Sequence, residues 1–134
     1  MKIVLANGCF DPFHWGHLQH LKAARKLGDL LYVSVTADGC VNKGPGRPVF
    51  NHHQRADVIR ALEMVHGVIV VNSSMEALMA VAPDVFVKGR EYEGKIRVED
   101  EAYCKAHGIE IVFTDEPVYS STKILDELKQ GRKL

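Results

Sequence analysis

Gly8–His17 reads GCFDPFHWGH and stands one residue beyond the apolar run KIVLA, Lys2–Ala6. A short continuous apolar run that passes into a glycine turn, a proline and helix-spaced residues reads as a buried strand handing over to a helix. His14, His17 and His20 then recur every third residue, so they share a helix face. Such a trio could hold a metal, serve acid–base chemistry or grip an anion.

The same alternation repeats along the chain. Strands are expected at Lys2–Ala6, Leu30–Thr36, Val68–Val71, Asp84–Lys88 and Ile109–Thr114. GVIVV and DVFVK are near-continuous apolar runs, the pattern of parallel strands covered by helices on both faces. Between them the spacing predicts helices. Trp15–Leu27 carries Leu18, Leu21, Ala24 and Leu27 at three-residue steps. Asn51–Val65 opens with Asn51 and Gln54 in a capping-box arrangement and offers Val58, Ile59 and Leu62 as its apolar face. Ser73 and Glu76 repeat that signature ahead of Ala77, Leu78 and Val81, and Pro83 closes the segment. Arg97–His107 is a further helix, and a last one starts near Ser120–Ser121 and buries Ile124, Leu125 and Leu128. Strands alternating with helices make βαβ units, hence an α/β domain with a doubly wound parallel sheet of about five strands.

At 134 residues the chain is expected to be one domain, 1–134. Seventeen basic residues balance seventeen acidic ones, so no net field draws nucleic acid or an anionic membrane, and neither is an expected partner. No apolar run approaches the ~18 residues that span a bilayer, and the first residues do not read as a signal peptide. The cysteines, Cys9, Cys40 and Cys104, are odd in number without CxxC spacing, which suits reduced thiols in the cytoplasm.

Open α/β sheets bind ligands at the carboxyl edge, and the first βα turn is the place to look. Gly8 is expected to free the backbone for a sharp turn, and Pro12 to open the helix. His14 and His17 then straddle a helix start, where unpaired N–H groups and the positive dipole end favour an anion. Zinc ligation by the three histidines with Cys9 or Asp11 is conceivable on spacing, but HExxH is absent and His20 sits a turn deeper, where a structural histidine is the simpler reading. VNKGPGRPVF, Val41–Phe50, is too rich in glycine and proline for a helix or central strand. It reads as a flexible basic lid at the same edge.

GCFDPFHWGH resembles the nucleotidyltransferase superfamily that carries the HxGH motif, the cytidylyltransferase-like branch of the Rossmann-type folds. NKGPGRPVFNHHQR and VKGREY are similar to segments of the adenylyltransferase domain of ADP-heptose synthase, and YSSTKIL looks like the C-terminal Ser/Thr segment which that domain shares with glycerol-3-phosphate cytidylyltransferase. These motifs stand in family order over nearly the whole chain. Two departures stand out. Val118-Tyr119-Ser120-Ser121-Thr122 replaces Gly-x-Ser-Thr-Thr, which changes the shape beside Tyr119 and keeps the hydroxyls. Tyr92–Lys95, YEGK, is closer to the Trp-Glu-Gly-Lys of the glycerol-3-phosphate enzyme.

The resemblance implies a Rossmann-like sheet of order 3-2-1-4-5. It also implies transfer of a nucleoside monophosphate from an NTP, ATP ahead of CTP, to a small phosphorylated sugar such as heptose 1-phosphate, with release of pyrophosphate. CTP-dependent transfer to glycerol phosphate is the alternative; a nucleotide- or metal-binding module without turnover is the alternative of another class. Mg²⁺ is expected on the triphosphate, with no dedicated protein ligands. Family members commonly dimerise, so a homodimer is expected. The heptose enzymes often carry a sugar kinase domain in the same chain; because this chain begins at the first strand, a kinase is expected as a separate protein.

The residues expected to act follow from this. His14 and His17 donate to phosphate oxygens, and the backbone of Gly8, Cys9 and Phe10 holds the α-phosphate. Lys43 clamps a phosphate from the lid, or is a solvated loop lysine. Arg55, a cation in a helix's first turn, calls for an anion nearby. Ser120, Ser121 and Thr122 form a second helix N-terminus with hydroxyls, though one of them is expected simply to cap. Lys88 reaches the cleft and Gly89 lets the base lie against backbone. Asp38 and Asp11 are orienting candidates, with helix capping the alternative for Asp11; Arg47 and Arg90 are acceptor candidates, Arg90 with a solvated alternative.

Overall fold

The structure, a computed structural model, describes residues 1–115 and 120–131. Five parallel strands form one sheet: β1 Ile3–Gly8, β2 Leu30–Thr36, β3 Gly67–Val71, β4 Val85–Gly89 and β5 Glu110–Thr114. Their order is β3-β2-β1-β4-β5, as the resemblance implies. The pairing sets Ile3 opposite Leu30, Val4 opposite Val85, Tyr32 opposite Gly67 and Val85 opposite Glu110. The helices are α1 Trp15–Arg25, α2 His52–Arg60, α3 Ser74–Val81, α4 Val98–Ala106 and α5 Ser121–Lys129.

Alternation along the central strands divides the core in two. Val4, Ala6, Val85 and Val87 face one side with Leu21 and Ala24 of α1 and Ala56 and Ile59 of α2. Leu5 and Phe86 face the other with Ala77 and Leu78 of α3 and Cys104 of α4. Both faces of β1 and β4 are therefore covered, which is why their sequences are apolar without a break. The neighbours β1 and β4 carry the topological switch, so the crevice beyond their carboxyl ends is where such a sheet takes its ligand.

Several expectations change. The helix after Asn51 ends at Arg60, and Leu62 and Val65 lie in the turns that follow. Val58 is 48% exposed and Leu128 52%, so neither belongs to a buried helix face. The helix that Pro12 was expected to open begins later: His14 is its N-cap, and Pro12 lies ahead of it behind a cis Asp11–Pro12 bond. Among the described residues no helix is long and apolar enough to cross a membrane.

Candidate active site

The turn after β1 is built around an aromatic ring. Phe10 is 4% exposed and takes the left-handed conformation (φ 53°), while Gly8 does not. The sharp turn expected at Gly8 thus falls at Phe10. Gly8 is required for a different reason: a Cβ there would stand 2.9 Å from the Phe10 ring. That ring lies edge-on to His17, with centroids 5.0 Å apart.

His14 and His17 cap their own helix reciprocally. The backbone N–H of His17 donates to His14 Nδ1 at 3.3 Å, and that of His14 donates to His17 Nδ1 at 3.2 Å. Each neutral ring therefore carries its proton on Nε2 and is a donor there. The rings stack with centroids 3.7 Å apart. Burial first, then His14, His20 and Lys43, lower His17 to about 3; burial and Lys43 also lower His14. At neutral pH both are uncharged donors at the positive end of α1.

They line a cavity of about 500 Å³, which also takes in Gly8, Cys9, Phe10, Lys43, Lys88, Gly89, Ser120 and Ser121. That volume is in the range of small-molecule sites. Ser120 caps α5 through Lys123 N at 3.3 Å, and Ser121 Oγ donates to the Pro12 carbonyl at 3.0 Å. Two helix N-termini thus meet over one cavity, the arrangement that suits an anion. Lys88 stands over the Tyr92 ring, Nζ 4.3 Å from the centroid, and its burial lowers it from the ordinary lysine value. Gly89 leaves room for the Glu91 carboxylate, which a Cβ would meet.

Six expected site residues lie elsewhere. The Arg55 side chain is 1% exposed, and its guanidinium donates to the carbonyls of Phe50 (2.8 Å), Cys9 (2.9 Å) and Thr36 (2.7 Å) and to Asp38 (2.7 Å). Its anion is Asp38, not a phosphate; Asp38 in turn faces His52 at 3.3 Å. The pair locks the ends of β1 and β2 to α2. Asp11 neither caps a helix nor faces the cavity. Fully buried, it accepts from Arg47 Nε (3.0 Å), Val49 N (2.7 Å) and Phe50 N (3.0 Å). Burial pushes its carboxyl up, but those three donors outweigh burial and hold it below the ordinary aspartate value. Arg47, expected at the acceptor, also donates to Thr122 Oγ1 at 2.9 Å and to the Asp11 carbonyl. Thr122 is not part of the cavity lining. Arg90 lies outside the cavity lining, 57% exposed and 3.7 Å from Asp115, which favours its solvated alternative.

The lid shrinks accordingly. Arg47–Phe50 is fastened to Asp11, and only Val41–Gly46 is left to hang over the cavity, with Lys43 in its lining and positive φ at Gly44 and Gly46. Tyr119 lies outside the described residues. The histidine trio also divides: His20 Nδ1 lies 2.9 Å from Thr114 Oγ1, yet the ring lines the same cavity. Among the described residues no group of three His, Cys, Asp or Glu is gathered to hold a metal ion.

Sequence reasoning passed over Asn7, Thr36, Tyr92 and Thr114, all in the cavity lining. Each stands at or just beyond the carboxyl end of a strand, and that position was the available signal. A second, smaller cavity beside the first was not foreseen at all.

The comparisons agree with this geometry. The cytidylyltransferase-like family model matches residues 5–127. The bifunctional protein HldE of Desulfatibacillum aliphaticivorans is 37% identical over 135 residues, and that of Vibrio vulnificus 38%; each match covers 98% of this chain. The chain spans only 28% of the length of these relatives. A lipopolysaccharide core biosynthesis protein from Thermoplasma volcanium superposes with a TM-score of 0.75 at 31% identity, over 88% of this chain and 99% of that one. Pantothenate synthetase from Thermus thermophilus, 14% identical with a TM-score of 0.62 over 85% of this chain and 55% of its own, shares the fold. With its HxGH turn at a helix start on a β3-β2-β1-β4-β5 sheet, the chain belongs to the cytidylyltransferase-like family of nucleotidyltransferases.

Proposed function

We propose that this chain transfers AMP from ATP to the phosphate of a small phosphorylated sugar, a heptose 1-phosphate or close relative, and releases pyrophosphate. One observation carries the reading: two imidazoles locked as Nε2 donors at one helix start face a second helix start across a cavity that Lys43 and Lys88 also line. That is a site for a polyphosphate. The sugar is suggested by the HldE relatives and by the lipopolysaccharide core protein of the same fold.

A phosphate monoester has its second pKa near ~6, so at pH 7 the attacking oxygen is already largely ionised and needs no general base. It forms a bond to the α-phosphorus as the bond to the bridging oxygen breaks and pyrophosphate departs. What the protein must supply is alignment and neutralisation of charge moving onto the leaving group. His14 and His17 donate to the phosphates, Lys88 offers charge from the β4 end, and Lys43 comes down with Val41–Gly46. Mg²⁺ would enter on the triphosphate. Glycerol phosphate with CTP is the second reading, favoured by YEGK at Tyr92–Lys95.

Calorimetry with ATP and with CTP, each with Mg²⁺, followed by pyrophosphate release on hexose and heptose 1-phosphates and on glycerol 3-phosphate, tests this. Tight ATP with turnover on a sugar 1-phosphate is expected. CTP with glycerol phosphate would move the chain to the second reading, and binding of neither nucleotide would overturn both.

A further inference from the structure

Beside the large cavity lies one of about 260 Å³, which shares with it a wall that includes Asn7, Thr36, Lys88 and Tyr92. Its far wall is formed by the start of α3 and the first turn of α4. Asp100, on that turn, is 3% exposed. Its Oδ2 accepts the hydroxyl of Ser74. Its Oδ1 has no hydrogen-bond partner among the described residues. A buried carboxylate oxygen left unsatisfied is expensive, and native proteins seldom keep one without a purpose.

The chemistry of the wall says what would satisfy it. Lys88, Lys95 and Arg97 also line this cavity, so it repels an ammonium group and welcomes an anion. The Tyr92 face, which could have received a quaternary ammonium, is already covered by Lys88. A neutral donor on an anionic molecule fits both demands. We propose that this cavity is the acceptor subsite and that Asp100 Oδ1 accepts a hydrogen bond from a hydroxyl of the acceptor's polyol chain or ring, making Asp100 a specificity-determining residue. The assignment rests on the nucleotidyl-transfer reading for the direction of the acceptor: its phosphate lies toward Lys88 and the large cavity, its hydroxylated body toward Asp100. Hydroxyl-poor phosphates and amino-alcohol phosphates are then poor acceptors.

The test is binding to the full chain, by calorimetry, of glucose 1-phosphate, glycerol 3-phosphate, phosphoethanolamine and ethyl phosphate. The wild type is expected to favour the first two over ethyl phosphate by about ten- to hundredfold, the range for a hydrogen bond to a charged group. Asp100→Ala, which removes both acceptor oxygens, is expected to bring that ratio toward one and to leave ATP affinity unchanged. Asp100→Asn, whose amide oxygen still accepts but without the charge, carries the test if the first variant does not fold, with a smaller drop in the ratio. If the carboxylate merely fastens α3 to α4, Asp100→Ala lowers the melting temperature and keeps the wild-type ratio, which overturns the proposal. A wild type that does not discriminate overturns it as well. Discrimination lost in Asp100→Ala, with neither ATP nor CTP bound by the wild type, would sink nucleotidyl transfer while the hydroxyl subsite stood. Pyrophosphate release together with an unchanged ratio would do the reverse.

Discussion

His17 does two jobs through the two nitrogens of one ring. Nδ1 closes the reciprocal cap with His14, and the tautomer this enforces makes Nε2 a donor at the cavity. The two jobs are separable by substitution. In His17→Asn the amide oxygen sits near the place of Nδ1, so the cap and the fold are kept and the donor is lost. In His17→Gln the amide nitrogen reaches toward the place of Nε2. Loss of a preorganised donor of this kind costs about 10²–10³ in kcat. That loss is expected for Asn with a cooperative urea transition retained at pH 7.5, and a clearly smaller one for Gln. Equal kcat in wild type and His17→Asn, measured as pyrophosphate release, would remove His17 from the phosphate site.

Among the elements, the segment after β2 is decided by a single carboxylate. Asp11 collects Arg47, Val49 and Phe50, and Arg47 passes the connection on to Thr122 at the start of α5. Three segments far apart in sequence are thereby stapled around the cavity mouth. The pair is buried, with 7% exposure at Arg47 and none at Asp11. Breaking a buried pair from one side costs about 3–5 kcal/mol. Asp11→Asn is therefore expected to lower stability by about that amount in urea unfolding, and to expose Arg47–Phe50 to amide hydrogen exchange. An unchanged midpoint with unchanged exchange would mean that Asp11 does not hold the segment.

Over the whole molecule, three clustered histidines are lowered together. Burial is the leading cause for His14, His17 and His20 alike, and for His17 the folded value is about 3 against an ordinary 6.5. The unfolded chain thus binds more protons than the folded one between those values. The stability this contributes is complete above about pH 6.5 and is lost as pH falls toward 3. Urea midpoints are expected to drop steadily from pH 7.5 through 6.0 to 5.0, and His17→Asn to flatten the slope. A midpoint constant down to pH 5.0 would contradict the buried, uncharged state of the ring.

The succession of elements was readable from the chain because its signals are local. Apolar runs mark strands covered on both faces, and Asn51 with Gln54 or Ser73 ahead of Glu76 marks a helix start through bonds made within four residues. His14 and His17 belong to that class too, since one helix start brings them together. The ordered motifs supplied the strand order and the family. What side chains do across long separations was not readable. Arg55 bears a cation in a first turn, which asks for an anion; only the packed sheet shows that Asp38, 17 residues earlier, answers it. Asp11 and Arg47, expected as an orienting group and an acceptor contact, are partners 36 residues apart. Asp100 gave no sign of itself, because an acidic residue in a first helical turn is ordinary; it was the docking of α4 against α3 that buried it and left one oxygen unanswered. Burial decides whether a charged group serves the fold or a ligand, and burial is settled by tertiary packing.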